Sequence, residues 1–135
     1  MIPREIKVLV VDDMPTIRDL VKGQLKTMGF KNVIEAPDGE AAMNLLIQHE
    51  VSNDRVKFVI SDWNMPKMSG LEFLKQVRAM DQWKALPFVL LTSEAERDQV
   101  TEAILAGVSQ YIVKPFSPKS LDEKLTSAWN KHQTK

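Results

Sequence analysis

Residues 8–13 read VLVVDD. Four apolar residues run without a polar interruption and end on two carboxylates. A strand with one wet face would alternate. An unbroken run of Val and Leu suits a strand buried on both faces, the mark of a parallel sheet. Working outward, the run begins at Ile6, so the first strand is expected over Ile6–Val11. Shorter runs of the same kind lie at Val33–Glu35, Phe58–Ser61, Phe88–Leu91 and Tyr111–Val113.

Helical patterns fill the intervals. Ile17, Leu20, Val21 and Leu25 recur at helical spacing, with Pro15 at the start and Gly29 just past the end. Ala41, Ala42, Leu45 and Leu46 mark a second helix, and Phe73, Leu74 and Val77 a third. Val100, Ala103 and Ile104, ending at Gly107, mark a fourth. Leu121, Leu125, Ala128 and Trp129 mark a fifth. All are read as core stripes. Strand and helix alternate five times, which predicts an α/β fold: a five-stranded parallel sheet, doubly wound, with right-handed crossovers. One domain over residues 1–135 is expected, with no separate output domain. The polar stretch His49–Lys57 precedes a strand, so it is expected as a solvated surface loop at the edge opposite the strand C-termini.

The bulk numbers suit that reading. The chain has 135 residues, 44% hydrophobic and 27% charged, values typical of one globular domain with a core. Its 18 basic residues balance 18 acidic ones, so neither a nucleic-acid backbone nor an anionic membrane is indicated as main partner. The absence of cysteine excludes disulfides, thiolate catalysis and Cys-type zinc sites. The N-terminus MIPREIK lacks the apolar segment of a signal peptide, and no apolar run approaches the ~20 residues of a membrane span. The expected location is the cytoplasm.

Ligands of open α/β sheets bind beyond the carboxyl ends of the strands. Asp12 and Asp13 follow the first run, Asp62 the third and Lys114 the fifth, while Thr92 ends the fourth. Singly, each has a plainer reading. Asp12-Asp13 could cap a helix, as could Thr92 with Ser93. Asp62 could be a turn residue ahead of Asn64 and Pro66, and Lys114-Pro115 a surface turn. Jointly they converge on one edge of an apolar sheet. Carboxylates within ~4 Å repel by about 4 kcal/mol per pair at an effective dielectric of about 20. Such a cluster demands counter-charge. Lys114 supplies one positive charge, and a hard cation such as Mg²⁺ is the natural second.

The segments VLVVDD, SDWNMPKMSG (61–70), LLTSEA (90–95) and YIVKPF (111–116) resemble the receiver domain of two-component response regulators, over nearly the whole chain. Among receivers they are most similar to the single-domain chemotaxis regulators of the CheY type. The resemblance implies that Asp62 is the phosphoacceptor. It implies that Asp13, Asp62 and the backbone carbonyl of Asn64 hold Mg²⁺, with Asp12 assisting through a metal-bound water. Lys114 would pair with phosphoryl oxygens, Thr92 would bond one of them, and Tyr111 would follow Thr92. Asn64 and Glu94 would tune phosphoryl lifetime, and the Lys114-Pro115 bond would be cis. Implied partners are a histidine sensor kinase of the CheA type, a flagellar motor switch protein and a phosphatase, with the chain a monomer and not a turnover enzyme. A phosphate sink or relay intermediate is the alternative within the family.

Output would pass through a protein contact on the surface of the fourth helix, fifth strand and fifth helix, including Ala95, Tyr111, Val113 and Lys124. Motor-binding members carry basic residues early in the fourth helix. This chain has Glu96, Arg97 and Asp98 there, which alters charge complementarity with a partner. Ser93 stands where chemotaxis members usually have Ala.

Two other classes compete. A haloacid-dehalogenase phosphatase also puts an Asp after its first strand, but in a D-x-D pattern, whereas Asp13 and Met14 follow Asp12 here. A flavodoxin-like cofactor binder needs a Ser/Thr- and Gly-rich first loop, whereas DDMPTIR is acidic. A Walker-type phosphate loop is absent too.

Overall fold

The structure, a computed structural model, describes residues 2–93 and 99–133. In it the opening run is β1, Lys7–Val11, buried at every position. The other runs become β2 (Asn32–Ala36), β3 (Val56–Asp62), β4 (Phe88–Thr92) and β5 (Gln110–Val113). All pair in parallel, in the order β2-β1-β3-β4-β5. The winding reverses at β1, so the crevice between the carboxyl ends of β1 and β3 is the topological switch point.

The helices are α1 (Pro15–Thr27), α2 (Gly39–Val51), α3 (Gly70–Ala79), α4 (Val100–Leu105) and α5 (Pro118–Lys131). Leu9, Val11, Val59 and Leu90 meet α2, α3 and α4 on one face, around Phe73, Phe88 and Trp83. Val8, Val10, Phe58, Ile60 and Leu91 meet α1 and α5 on the other. Successive strand residues thus feed opposite cores, which is why the runs do not alternate. Local chemistry sets the helix ends. Pro15 opens α1, and Gly29 follows it at φ 101°, the left-handed conformation that glycine adopts freely. Asp38 caps α2 by accepting from the Ala41 N–H. Ser69 with Glu72 and Ser117 with Ser120 form reciprocal capping boxes on α3 and α5.

Three expectations are corrected. Leu20 is 48% exposed; Val21, Leu25 and the half-buried Ile17 fill the α1 stripe, and Leu20 falls on its flank. Ile104 is 59% exposed, because the short α4 seats only the small Ala103 in the core. The His49–Lys57 stretch is not one loop. His49–Val51 complete α2 and Val56–Lys57 start β3, so only residues 52–55 connect them. Its polarity reflects a helix end and the start of a strand rather than a continuous loop. It does lie at the edge opposite the strand C-termini. The β1–β3 register shifts between Lys7 and Val8, pairing them with Val56 and Phe58. That bulge leaves Lys57 exposed within an otherwise buried strand.

Candidate phosphoryl and metal site

The carboxyl ends of β1, β3, β4 and β5 hold the polar residues singled out above. Asp12 follows β1 and is 1% exposed, Asp13 is open to solvent, and Asp62 ends β3. One carboxylate oxygen from each of the three lies within 4.8 Å of the others. Lys114, just beyond β5, reaches past the end of β4 and donates from Nζ to Asp62 Oδ1 at 2.6 Å.

Backbone pairing carries the remaining residues to this edge. Trp63 N–H donates to Leu91 O at 3.0 Å, and Lys114 N–H donates to Thr92 O at 2.8 Å. Thr92, the buried last residue of β4, is therefore locked between the acid-bearing and lysine-bearing strands. Its hydroxyl donates to Ser93 O at 3.2 Å. The Lys114-Pro115 bond is cis, as the resemblance implied. Tyr111 is set further back, opposite Leu90 and half-buried. The Lys124 ammonium lies 5.3 Å from the centre of its ring. Asn64 is exposed two residues past Asp62. Glu94, Ala95, Glu96, Arg97 and Asp98 lie outside the described residues.

Asp12-Asp13 do not cap α1. The N-cap position is Met14, whose N–H donates to Asp12 Oδ1 at 2.9 Å. The N-cap of α4 is Gln99 rather than Thr92 or Ser93.

The electrostatics are those of an unbalanced acidic cluster. Burial pushes the Asp12 carboxyl up to about 6, and the Asp62 and Asp13 charges add to the rise, while the Met14 N–H and Lys114 oppose it. Burial also raises Asp62, against the Lys114 hydrogen bond and charge and the Trp63 N–H. Desolvation outweighs even a 2.6 Å ion pair because it acts on the whole charged form. Asp12 Oδ2 is buried and has no hydrogen-bond partner. A buried carboxylate oxygen without a donor, in a site with three carboxylates and one ammonium, is what a hard divalent cation satisfies. The donor set fits such an ion.

Two supporting residues escaped the sequence reading. Arg18, on α1, donates from Nη1 to Asp12 O at 2.7 Å and from Nε to Glu35 at 2.8 Å, anchoring the first acidic loop to β2. Nothing local in DDMPTIR marks it. Gly70 opens α3 with its N–H donating to Trp63 O at 2.7 Å. A Cβ there would lie 2.2 Å from Asp62 O. A glycine at the first position of a helix, eight residues beyond the acid, was a legible signal of close backbone approach.

Comparison with known proteins agrees with this fold. The family model for the response regulator receiver domain matches residues 8–126. Chemotaxis protein CheY-3 of Vibrio cholerae is 45% identical over 122 residues, 90% of each chain. Chemotaxis protein CheY of Pseudomonas aeruginosa is 45% identical over 120 residues, 89% of this chain and 93% of its own. The solved structure of chemotaxis response regulator CheY4 of Vibrio cholerae superposes with a TM-score of 0.79 at 36% identity, covering 92% of this chain and 98% of that one.

Proposed function

The chain belongs to the response regulator receiver family, and we propose that it works as a phosphorylation-dependent signalling switch with Asp62 as acceptor. The observation that carries this is the Lys114 Nζ–Asp62 Oδ1 contact of 2.6 Å inside a three-carboxylate cluster at the switch point. Family membership speaks for a receiver over a haloacid-dehalogenase phosphatase or a flavin carrier.

In the forward step, a carboxylate oxygen of Asp62 attacks the phosphorus of a phosphohistidine, the P–N bond breaks, and the imidazole leaves. Lys114 offsets part of the burial cost of the Asp62 carboxylate before transfer and follows the phosphoryl oxygens after it. Such a transfer needs alignment and charge neutralisation more than covalent help. Bound Mg²⁺, held by Asp13, Asp62, the Asn64 carbonyl and Asp12 through water, would supply the further neutralisation. The acyl phosphate adds about two negative charges at the end of β3. The Thr92 hydroxyl then turns from Ser93 O toward a phosphoryl oxygen, and Tyr111 moves into the space released. Asn64 and Glu94 tune the phosphoryl lifetime.

The donor is a histidine sensor kinase, and the setting is the cytoplasm. The names of the relatives support a chemotaxis role, with a motor switch protein as target and a phosphatase resetting the state. The readout surface is the face of α4, β5 and α5, where Ile104, Leu105 and Val113 are exposed and the Lys124 ammonium lies over the Tyr111 ring. The acidic Glu96 and Asp98 favour a second reading, a phosphate sink or relay without motor contact. Incubation with acetyl phosphate and Mg²⁺ should retard the protein on a phosphate-affinity gel. Asp62→Asn should abolish the retarded band; equal retardation of that variant would remove Asp62 from the role.

A further inference from the structure

A second surface lies on the opposite edge of the sheet from the α4–β5 face. Strand β2 is terminal in the order β2-β1-β3-β4-β5, and most of its residues are only half-buried where those of β1 are fully buried. Asp12 N–H donates to Ala36 O, so the alternation of the parallel ladder turns the N–H and C=O of Val33 and Glu35 outward. No described residue pairs with them. An edge with free backbone groups is a template for an added strand.

Beside that edge, between β2 and the flank of α1, runs a groove of about 730 Å³. Phe30 and Val33 form its apolar part, and Lys22, Lys26 and Lys31 its walls, with Asp19 the one acidic side chain among its lining residues. Lys22 is tied to Glu35 at 2.6 Å. Lys26 and Lys31 are exposed, and no carboxylate of the described residues lies within ion-pair distance of either.

Gly23 gives an independent pointer. It sits in the interior of α1, where glycine weakens a helix. A Cβ built on it would meet nothing within 4 Å. Its φ is not in the left-handed region. Among the described residues, no packing or turn requires a glycine there. What it does is keep the groove wall flat.

From these features we infer that the α1–β2 groove docks an extended acidic segment of a partner protein. The segment adds a strand outside β2, an apolar side chain settles over Phe30 and Val33, and its carboxylates meet Lys26 and Lys31. A second copy of this chain is a poor occupant, because pairing β2 with itself brings two sets of the same lysines together. The inference does not rest on phosphorylation at Asp62.

The test is an NMR titration of ¹⁵N-labelled protein with a synthetic peptide alternating Asp or Glu with Val and Phe. A peptide with Lys in place of its acids and a single-stranded oligonucleotide of equal charge serve as controls. The acidic peptide should shift the amides of Val33, Glu35 and Gly23 and slow exchange of the first two. Its affinity should fall at least tenfold in the double variant Lys26→Glu, Lys31→Glu. Gly23→Gln should weaken it by a similar factor while acetyl phosphate labelling stays unchanged. No shifts at millimolar peptide, shifts centred on α4 and β5, equal binding of either control, or a β2-dependent dimer in sedimentation would each overturn the inference.

Discussion

Asp12 is the residue on which the site's energetics turn. Folded, it keeps its proton up to about pH 6, against 3.8 for a free aspartate, chiefly because it is buried. Between those values the folded chain binds more protons than the unfolded one, so stability falls as pH rises through that window. Above it the deficit levels off at up to ~3 kcal/mol. In EDTA, Asp12→Asn should therefore raise unfolding free energy by about 1–3 kcal/mol at pH 7.5, with the gain vanishing near pH 4; urea titrations at the two pH values check this. The same unsatisfied charge predicts a response to metal. Mg²⁺ at ten times its Kd should add about 1.4 kcal/mol, seen as a higher Tm than in EDTA. Asp13→Asn should blunt that rise. The convergence of Asp12, Asp13, Asp62, Thr92 and Lys114 was legible because each follows or ends an apolar run, and parallel strands align their ends. The loss of Asp12's solvent was not legible, since it depends on how α1 and its loop close over it.

Helices and strands were legible where both faces are buried and blurred where one is not. Leu20 and Ile104 belong to apolar stripes by spacing, yet they lie on helix flanks outside the core. Periodicity gives the direction of a stripe but not its width, which the neighbouring strand decides. Lys57 was hidden for a similar reason, because a bulge breaks the period of β3. Glycines show how much context matters within one element type. At Gly70, Ala would press on Asp62 O at 2.2 Å and on Leu90 and Trp63 at 3.0 Å or less. Backbone atoms cannot yield, so Gly70→Ala should cost about 2–3 kcal/mol and slow labelling by acetyl phosphate through a displaced Asp62. At Gly23 the same change meets open space and should stabilise α1 by about 1 kcal/mol. Thermal melts of the pair should move in opposite directions, and a matching sign would refute the packing account of Gly70.

At the scale of the whole chain, two cores share one sheet, with Trp83 in one and Trp129 against the other. Because every strand between them contributes to both, the two should melt together. Urea transitions followed by tryptophan fluorescence and far-UV circular dichroism should coincide; separate midpoints would contradict a single domain. Strand order was legible only as far as doubly wound, and the placement of β1 beside β3, which makes the crevice, emerged with the fold. Among the described residues no helix is long and apolar enough to cross a membrane. Of 18 acidic residues, this fold pairs Asp62 with a lysine at 2.6 Å at the switch point, and the account stands on that selection. Borohydride reduction after acetyl phosphate treatment converts an aspartyl phosphate to homoserine, which peptide mass spectrometry locates. The account predicts homoserine at position 62 alone. Homoserine at position 12 or 13, or phosphate retained on Thr92 or a serine, would contradict it.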